Sequence, residues 1–161
     1  MKKKMRIVDN FLTDLAFNFI YNSFLDKNFP WYHQDGKVGQ DGEIQFTHLF
    51  VDNEKNLSDK INILQPILDK LEVKRLLKAK VNLTLKEDIV RPFNYHLDID
   101  YTKGNTAILY MNTNDGKTLF ENNKEVNSVA NRIVIFANSL KHTGTTHTNN
   151  KYRIVLNINY K

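Results

Sequence analysis

The chain of 161 residues has no cysteine and no long apolar run. Without cysteine, disulfide bonds, cysteine-ligated zinc sites and cysteine nucleophiles are excluded, and the absence is compatible with a reducing cytosol. No apolar segment is long enough to cross a bilayer, and no signal-peptide core follows the basic residues 2–6. We therefore expect a soluble cytoplasmic protein without a membrane partner.

What is present indicates one folded domain. Hydrophobic residues make up 41% of the sequence, so residues 1–161 can bury a single core. The formal net charge is +5, with basic clusters at residues 2–4 and 74–80. A basic patch attracts acidic partners, but aromatic residues are rarely interleaved with these lysines. We interpret the clusters as solvated faces and do not expect a nucleic acid partner.

Hydrophobic patterning changes character along the chain. Helical patterns follow Thr13 and Ser58, with Pro66 as a break or a new start, and glycines indicate a mobile loop over 34–43. Short alternating segments predict strands elsewhere: 5–8, 44–51, 77–85, 93–100, 105–112, 117–120, 125–129, 132–137 and 152–160. Helices followed by a run of strands predict an α+β fold, with a β-sandwich or barrel that carries helices on one side.

The predicted strand 93–100 carries the most informative pattern. Its alternation places His96 and Asp98 on the same face, two residues apart. One imidazole, one carboxylate and a second imidazole from elsewhere would form a metal site with open positions, which suits Fe(II) and O2 chemistry. The candidates for the third ligand are His33, His48, His142 and His147, and the last two follow the strong strand 132–137. Asp100 shares the same parity, and we interpret it as a supporting or surface residue.

An ordered set of motifs extends this pattern over nearly the whole chain. It comprises His96-Leu97-Asp98, Ile108-Leu109-Tyr110-Met111-Asn112, Asp115-Gly116-Lys117-Thr118-Leu119-Phe120, Asn131-Arg132-Ile133-Val134-Ile135-Phe136, His142-Thr143-Gly144 and Arg153-Ile154-Val155-Leu156-Asn157. With these motifs the chain resembles the 2-oxoglutarate- and Fe(II)-dependent oxygenases, particularly small prolyl-hydroxylase-like members of the phage and bacterial type. The resemblance implies a double-stranded β-helix, or jelly roll, with the N-terminal helices packed on one sheet.

The resemblance also implies the metal ligands. It assigns Fe(II) to His96, Asp98 and His142. The choice of His142 follows from the family's distal histidine, which precedes a basic residue by about ten positions. Arg153 lies eleven residues after His142 and six after His147. The resemblance therefore favours His142, and His147 is the alternative.

The same comparison implies a co-substrate pocket. The far carboxylate of 2-oxoglutarate needs a cation, and the planar fork of Arg153 suits it. Tyr110 matches a family tyrosine that hydrogen-bonds this carboxylate. Thr145, Asn157 and Asn82 are further candidates for the pocket.

The resemblance implies oxidative decarboxylation of 2-oxoglutarate, with O2, coupled to hydroxylation of a C–H bond. By analogy the first candidate substrate is a prolyl residue of a peptide or protein, and the next is a free amino acid or another small molecule. Trp31, Tyr32 and the loop 34–43 are candidates for a substrate lid, although Trp31 is equally well explained as core. The competing classes are a cupin-like metal-binding jelly roll that does not act as an oxygenase, and a catalytically silent relative.

Overall fold

A computed structural model describes residues 5–37, 40–99 and 103–161 of the chain. Within these ranges the elements are β1 (Arg6–Val8), α1 (Asp14–Leu25), β2 (Tyr32–Lys37), β3 (Gln40–Asp52), β4 (Lys55–Asn56), a 3-10 turn (Ile61–Leu64), α2 (Gln65–Lys70), β5 (Leu76–Leu85), β6 (Asn105–Tyr110), β7 (Lys117–Phe120), β8 (Glu125–Asn127), β9 (Arg132–Ala137), β10 (His142–Gly144) and β11 (Tyr152–Tyr160).

The first helix begins where the sequence predicts a start, whereas the second begins at Gln65, next to Pro66, and not near Ser58. Thr13 caps α1, because its side-chain oxygen accepts a hydrogen bond from the backbone N–H of Ala16 at 3.3 Å. Pro66 lies in the first turn of α2, where its missing N–H leaves no helical hydrogen bond unmade. None of the helices in the described ranges is long and apolar enough to cross a membrane.

The strands form two antiparallel sheets. The larger sheet has the order β1-β9-β6-β11-β5-β3-β2, with β4 added to β3. The helices pack on its outer face, where buried residues of the helices and of the strands form one core that includes Ile20, Phe24, Phe50, Leu64, Ile67, Val81, Leu109, Leu156 and Ile158. The smaller sheet has the order β10-β7-β8. This arrangement confirms the predicted jelly roll with N-terminal helices on one sheet.

The inner face of the larger sheet is polar along its centre. In the pairing of β11 with β5, Arg153 lies opposite Thr84, and Asn157 lies opposite Lys80. Because every second residue of a strand points to the same face, Asn82 shares the face of Thr84 and Lys80. These residues share the inner face with Ile108, the partner of Asn157 on β6.

The predicted strand 93–100 is wrong as a regular strand over the described residues 93–99. The segment joins the smaller sheet only through isolated bridges, Pro92 with Thr145 and His96 with His142. A proline has no N–H with which to extend a ladder, so pairing does not continue through Pro92. Tyr95 and Leu97 are exposed, whereas His96 and Asp98 are partly buried. The two predicted ligands therefore still point to the same side, as the alternating pattern predicts.

The predicted loop 34–43 is also wrong within the described residues. Residues 32–37 and 40–52 belong to the paired strands β2 and β3. Trp31, a candidate for the lid, packs in the core, where its indole N–H donates to the Phe24 carbonyl at 3.0 Å. Tyr32 is exposed. Asp100 and Gly39 lie outside the described residues.

Candidate active site

The site begins with a backbone bridge that joins two distant histidines. The N–H of His96 donates to the carbonyl of His142 at 3.0 Å, and the N–H of His142 donates to the carbonyl of His96 at 3.1 Å. Asp98 follows two residues later. Its Oδ1 lies 3.5 Å from His96 Nε2, and its Oδ2 lies 3.6 Å from His142 Nε2. The three side chains form a cluster whose ligand atoms lie within 4.8 Å of one another.

The hydrogen bonding of His96 sets the orientation of its ring. Its Nδ1 lies 3.1 Å from the carbonyl oxygen of Asn94. Since a carbonyl only accepts hydrogen bonds, Nδ1 carries the proton and Nε2 of the neutral ring presents a lone pair to the cluster. A hydrogen bond of this kind on the outer nitrogen is the usual support of a metal-binding histidine.

Burial and charge act in opposite directions on these groups. Burial favours the neutral form of Asp98, but its contacts with His96 and His142 hold the pKa of its carboxyl well below the usual range. Burial also disfavours the charged form of His96, yet the neighbouring Asp98 raises its pKa. For His142, burial outweighs the attraction of Asp98 and lowers the pKa. A neutral His142 beside an ionised Asp98 is the protonation state that a metal requires.

The cluster fits a divalent cation. Two ligand bonds of about 2.1 Å that meet at a metal at about 90–110° separate their donor atoms by about 3.0–3.5 Å. The separations of 3.5 and 3.6 Å from Asp98 are close to this range and longer than a good hydrogen bond. Two imidazoles and one carboxylate form the donor set that suits Fe(II) with open positions.

The other three histidines lie outside this cluster. His48 is buried among aromatic rings, and its ring nitrogens lie 2.7 Å from the Pro30 carbonyl and 2.7 Å from the Ser58 hydroxyl. His33 lies on β2. His147 is fully buried, and its carbonyl accepts the N–H of Glu87 at 2.9 Å. Among the described residues, the group that could hold a metal consists of His96, Asp98 and His142.

This grouping predicts different effects for the two competing histidines. His142→Ala should weaken Fe(II) or Zn(II) binding by more than the roughly 10–100-fold that is typical for loss of a supporting contact, because it removes a ligand. His147→Ala should leave the metal affinity within about threefold of the wild type, although the cavity that it opens lowers the melting temperature. Titration of both variants with metal measures this. Loss of metal binding in His147→Ala alone would reverse the assignment.

The cluster forms part of the wall of a cavity of about 100 Å³ between the two sheets. Its lining comprises Gln45, Lys80, Asn82, Thr84, Phe93, His96, Asp98, Ile108, Thr118, His142, Gly144, Arg153, Val155 and Asn157. We call this space the central cavity. Its lining contains the predicted metal ligands and three of the predicted co-substrate residues, Arg153, Asn157 and Asn82.

Arg153 is a buried cation in the wall of the central cavity. Only 5% of the residue is exposed, and burial lowers the pKa of its guanidinium. Its Nε donates to the Ser128 hydroxyl at 3.0 Å, and one terminal nitrogen lies 3.4 Å from the Lys117 carbonyl. No carboxylate of the described chain forms an ion pair with it. Because an uncompensated buried charge is unfavourable, this arrangement favours binding of an anion beside Arg153.

The ring of Tyr110 packs against the guanidinium, and Thr118 holds the Tyr110 hydroxyl. Tyr110 is fully buried, which raises its pKa to about 12, and its ring centre lies 5.9 Å from Arg153 Cζ. Its hydroxyl donates to Thr118 Oγ1 at 2.7 Å. The structure therefore brings Tyr110 to Arg153, with Thr118 between its hydroxyl and the central cavity. Thr118 was not predicted as a site residue, although the alternation of inward and outward side chains along β7 was the available signal for it.

The remaining predicted pocket residues differ in their placement. Thr145 is not in the lining of the central cavity: its hydroxyl donates to the Thr146 carbonyl and accepts the N–H of Lys117, so it braces the smaller sheet. Asn82 and Asn157 do line it. Their side-chain oxygens, with the hydroxyl of Thr84, are buried and have no hydrogen-bond partner among the described residues. Buried polar atoms in a cavity wall indicate a polar ligand.

Two further residues of the site were not predicted. Gly116 lies against Arg153: a Cβ at this position would meet Arg153 Cδ at 2.8 Å and Nε at 2.9 Å. Lys80 belongs to the basic cluster 74–80, which the sequence predicts to be a solvated face, yet Lys80 lines the central cavity. Burial lowers the pKa of its ammonium, against the attraction of Asp98. The alternation of inward and outward side chains along β5 could have predicted that Lys80 points into the interior.

The contact at Gly116 predicts a selective loss of anion binding. In Gly116→Ala the new methyl group displaces the Arg153 side chain, so we expect the affinity for 2-oxoglutarate to fall by about tenfold or more, as for a misplaced charged hydrogen bond. Metal affinity should stay unchanged, because the triad lies on other segments. Calorimetric titrations of the variant with metal and then with 2-oxoglutarate measure both. Equal affinity of variant and wild type for 2-oxoglutarate would contradict this role of Gly116.

Comparisons with known proteins agree with this geometry at the level of the fold. No family model matches the chain, and no curated protein matches its sequence. Solved structures do match over nearly its whole length. One is an oxidoreductase of the 2OG-Fe(II) oxygenase family from Burkholderia pseudomallei, with a TM-score of 0.68 and 12% identity over 98% of this chain and 84% of that one.

Two other solved structures share the same architecture. A prolyl hydroxylase from Trichoplax adhaerens, in complex with a peptide fragment of the hypoxia inducible factor oxygen degradation domain, matches with a TM-score of 0.66 and 14% identity over 97% of this chain and 82% of that one. The non-heme alpha ketoglutarate dependent epimerase SnoN from nogalamycin biosynthesis matches with a TM-score of 0.66 and 14% identity over 98% of this chain and 77% of that one. The chain therefore has the double-stranded β-helix fold of the 2-oxoglutarate- and Fe(II)-dependent oxygenases.

Proposed function

We propose that the protein is an Fe(II)- and 2-oxoglutarate-dependent dioxygenase that hydroxylates a C–H bond. One observation carries this proposal: a His-Asp-His cluster and a buried guanidinium without a carboxylate partner in the described chain line the same cavity. The cluster suits Fe(II), and the guanidinium suits the far carboxylate of 2-oxoglutarate. The fold, shared with structures of that family, supports the same conclusion.

Each residue has a definite task in this proposal. His96, Asp98 and His142 hold the iron through two imidazole nitrogens and one carboxylate, and the Asn94 carbonyl keeps His96 Nε2 directed at it. Arg153 binds the far carboxylate of 2-oxoglutarate, and Ser128 and Tyr110 hold the guanidinium in place. Asn82 offers its amide group to the co-substrate between these ends, and Asn157, which lies opposite Lys80, lines the cavity close to the metal ligands. When bound, the iron supplies the O2 chemistry that couples decarboxylation of 2-oxoglutarate to C–H oxidation.

For the substrate we propose first a prolyl residue of a peptide or protein. The support is a structural neighbour, the Trichoplax prolyl hydroxylase, which binds a peptide. The second candidate is a free amino acid or another small molecule, and SnoN, an epimerase, illustrates that this fold hosts different reactions. For location we propose the cytoplasm, on the absence of cysteine alone.

A cupin-like metal binder without oxygenase activity is the competing class. Such a protein has no need of a buried Arg153 beside the metal cluster. It would bind a divalent metal at His96, Asp98 and His142, but 2-oxoglutarate would not raise its stability. The oxygenase proposal instead predicts that metal and 2-oxoglutarate bind together.

Turnover of the co-substrate tests the proposal without knowledge of the substrate. The enzyme with Fe(II), ascorbate and O2 should convert 2-oxoglutarate slowly to succinate and CO2, since such enzymes decarboxylate some co-substrate uncoupled. Succinate is measured by mass spectrometry, with Asp98→Ala as the inactive control. If the protein bound metal but neither bound 2-oxoglutarate nor converted it to succinate, the cupin-like class would be favoured.

A further inference from the structure

The feature that the proposed function leaves unused is Lys80. It points from β5 into the interior, and it forms no hydrogen bond or ion pair with any residue of the described chain. Lys78, two residues earlier, differs: its ammonium lies 3.6 Å from Asp52 Oδ1 and 3.4 Å from the Asp98 carbonyl. Asp98 attracts the Lys80 ammonium, but a half-buried ammonium that makes no hydrogen bond within the described chain is unfavourable, and this suggests that it binds a ligand.

Lys80 separates two spaces. It lines the central cavity together with Arg153, and it also lines a second cavity of about 210 Å³. The lining of this second space, which we call the outer cavity, consists of Lys78, Lys80, His96, Leu97, Asp98, Asn157 and Asn159. Arg153 is absent from that lining, whereas His96 and Asp98 belong to both. Of the predicted metal ligands, His96 and Asp98 therefore face both cavities, and His142 faces only the central cavity that contains Arg153.

The register of the sheet keeps the two cations apart. Arg153 pairs with Thr84, and Lys80 lies four residues further along β5. At about 3.3 Å per residue, this offset is about 13 Å along the strand. A five-carbon dicarboxylate with bonds of about 1.5 Å is only about 6 Å long. A co-substrate that reaches from Arg153 to the metal cluster leaves Lys80 available for another ligand.

Charge in the two cavities points to the nature of that ligand. Arg153, Lys80, Lys78 and Asp98 are the charged residues in the two linings, and Lys78 pairs with Asp52. With a divalent metal and Asp98, the two remaining cations give a net charge of about three positive units. The dianion 2-oxoglutarate neutralises two of them. One positive charge remains, and it lies at Lys80.

Asn157 and Asn159 complete the outer cavity as a polar site. Asn159 donates to Thr106 Oγ1 at 2.8 Å, and its side-chain oxygen is buried and has no hydrogen-bond partner among the described residues. The side-chain oxygen of Asn157 is likewise buried and has no hydrogen-bond partner among the described residues. These oxygens accept hydrogen bonds, so the outer cavity suits a ligand that combines an anionic group for Lys80 with N–H or O–H donors, as an amino acid or a peptide does.

We propose that Lys80 binds a carboxylate of the primary substrate in the outer cavity. This inference rests on the proposed oxygenase function and specifies its substrate class: the molecule carries a carboxylate close to the carbon that is oxidised. The carboxylate belongs either to a free amino acid or to an acidic peptide. Lys80 is a binding residue that positions the substrate beside the metal ligands, on the side away from Arg153.

The test uses the full chain loaded with redox-inert Zn(II) and saturated with N-oxalylglycine, an amide analogue of 2-oxoglutarate that resists decarboxylation. Ligand-observed NMR and calorimetry then compare matched pairs that differ only in one carboxylate. The first arm pairs the free L-amino acids and N-acetyl-L-proline with their amides. The second arm pairs acetyl-Pro-Glu-amide with acetyl-Pro-Gln-amide. The first arm detects a free amino acid and the second an acidic peptide.

In wild-type protein at least one carboxylate probe should bind about tenfold or more tightly than its amide, as expected for a charge-assisted hydrogen bond. Lys80→Met should abolish this preference, and Lys80→Arg should retain part of it. Lys86→Met, which removes an exposed lysine just after β5, is the matched control and should bind as the wild type does. Circular dichroism and thermal melting verify that each variant is folded.

Three results would overturn the assignment of Lys80. One is a carboxylate preference that persists in Lys80→Met, and another is no preference in any pair. The third is a tenfold loss of N-oxalylglycine affinity in Lys80→Met, which would assign Lys80 to the co-substrate. Binding of N-oxalylglycine to wild type and to Arg153→Met is measured first. If the wild type failed to bind N-oxalylglycine, or if Arg153→Met bound it equally tightly, the proposed function would be contradicted, independently of the outcome for Lys80.

Discussion

Asp98→Ala should abolish turnover of 2-oxoglutarate and leave the fold intact. Asp98 is the only carboxylate of the metal cluster in the described chain, and it lies within 3.6 Å of both imidazole groups. Loss of an outer supporting contact typically weakens metal binding about 10–100-fold, and loss of a charged ligand should exceed this. Without metal the variant should melt somewhat below the wild type, because, despite burial, His96 and His142 hold the pKa of the Asp98 carboxyl below its usual range, and a lowered carboxyl pKa stabilises the folded state at neutral pH.

The measurement combines turnover with thermal melting. A ligand at 100 times its Kd stabilises the folded state by about 2.7 kcal/mol, so Fe(II) or Zn(II) should raise the melting temperature of the wild type but not of Asp98→Ala. Asp59→Ala removes an exposed carboxylate and is the matched control. A variant of Asp98 that still binds metal and forms succinate would remove Asp98 from the ligand set and refute the account of the site.

Arg153→Met should weaken 2-oxoglutarate binding by about 30-fold or more. Truncation of one member of a buried, hydrogen-bonded charge pair costs about 2 kcal/mol or more, which corresponds to this factor. Methionine fills much of the same space without the charge. Because the guanidinium is buried without a carboxylate partner in the described chain, the variant should melt at the same temperature as the wild type or higher when no ligand is present.

Titration with 2-oxoglutarate in the presence of Zn(II) measures the affinity, and melting curves measure the stability. Arg75→Met, which breaks an exposed ion pair with Glu54, is the matched control and should not change the affinity. Metal affinity should be equal in all three proteins. If Arg153→Met bound 2-oxoglutarate as tightly as the wild type, the co-substrate carboxylate would have to be bound elsewhere.

Much of the fold could be predicted, because local signals agree with the tertiary structure. Thr13 caps the first helix, Pro66 marks the start of the second, and the strand predicted over 152–160 has the observed bounds. The errors occur where tertiary contacts override local signals. Glycine spacing indicated a loop over 34–43, yet Tyr32–Lys37 pairs with β3. Alternation indicated a strand over 93–100, but only isolated bridges form within the described part of it.

The clustering of His96, Asp98 and His142 could be predicted from the sequence, and the surroundings of the cluster could be predicted less well. His96 and Asp98 follow from parity on one segment, and resemblance to a family selected His142. The roles of Thr118, Gly116 and Lys80 depend on which residues the sheets bring opposite one another, and sequence spacing does not contain that information. Lys80 illustrates this most clearly, because its basic neighbours suggested a solvated face, whereas its register opposite Asn157 turns it inward.

Anaerobic addition of 2-oxoglutarate to the Fe(II)-loaded protein tests whether the metal and the co-substrate bind in one site. Chelation of the keto acid by iron gives a weak visible charge-transfer band, which reports metal and co-substrate in one site. The account predicts that the band appears in the wild type, requires far more 2-oxoglutarate in Arg153→Met, and is lost in Asp98→Ala. Metal binding with no band at any concentration of 2-oxoglutarate would contradict the account and favour a cupin-like metal-binding protein.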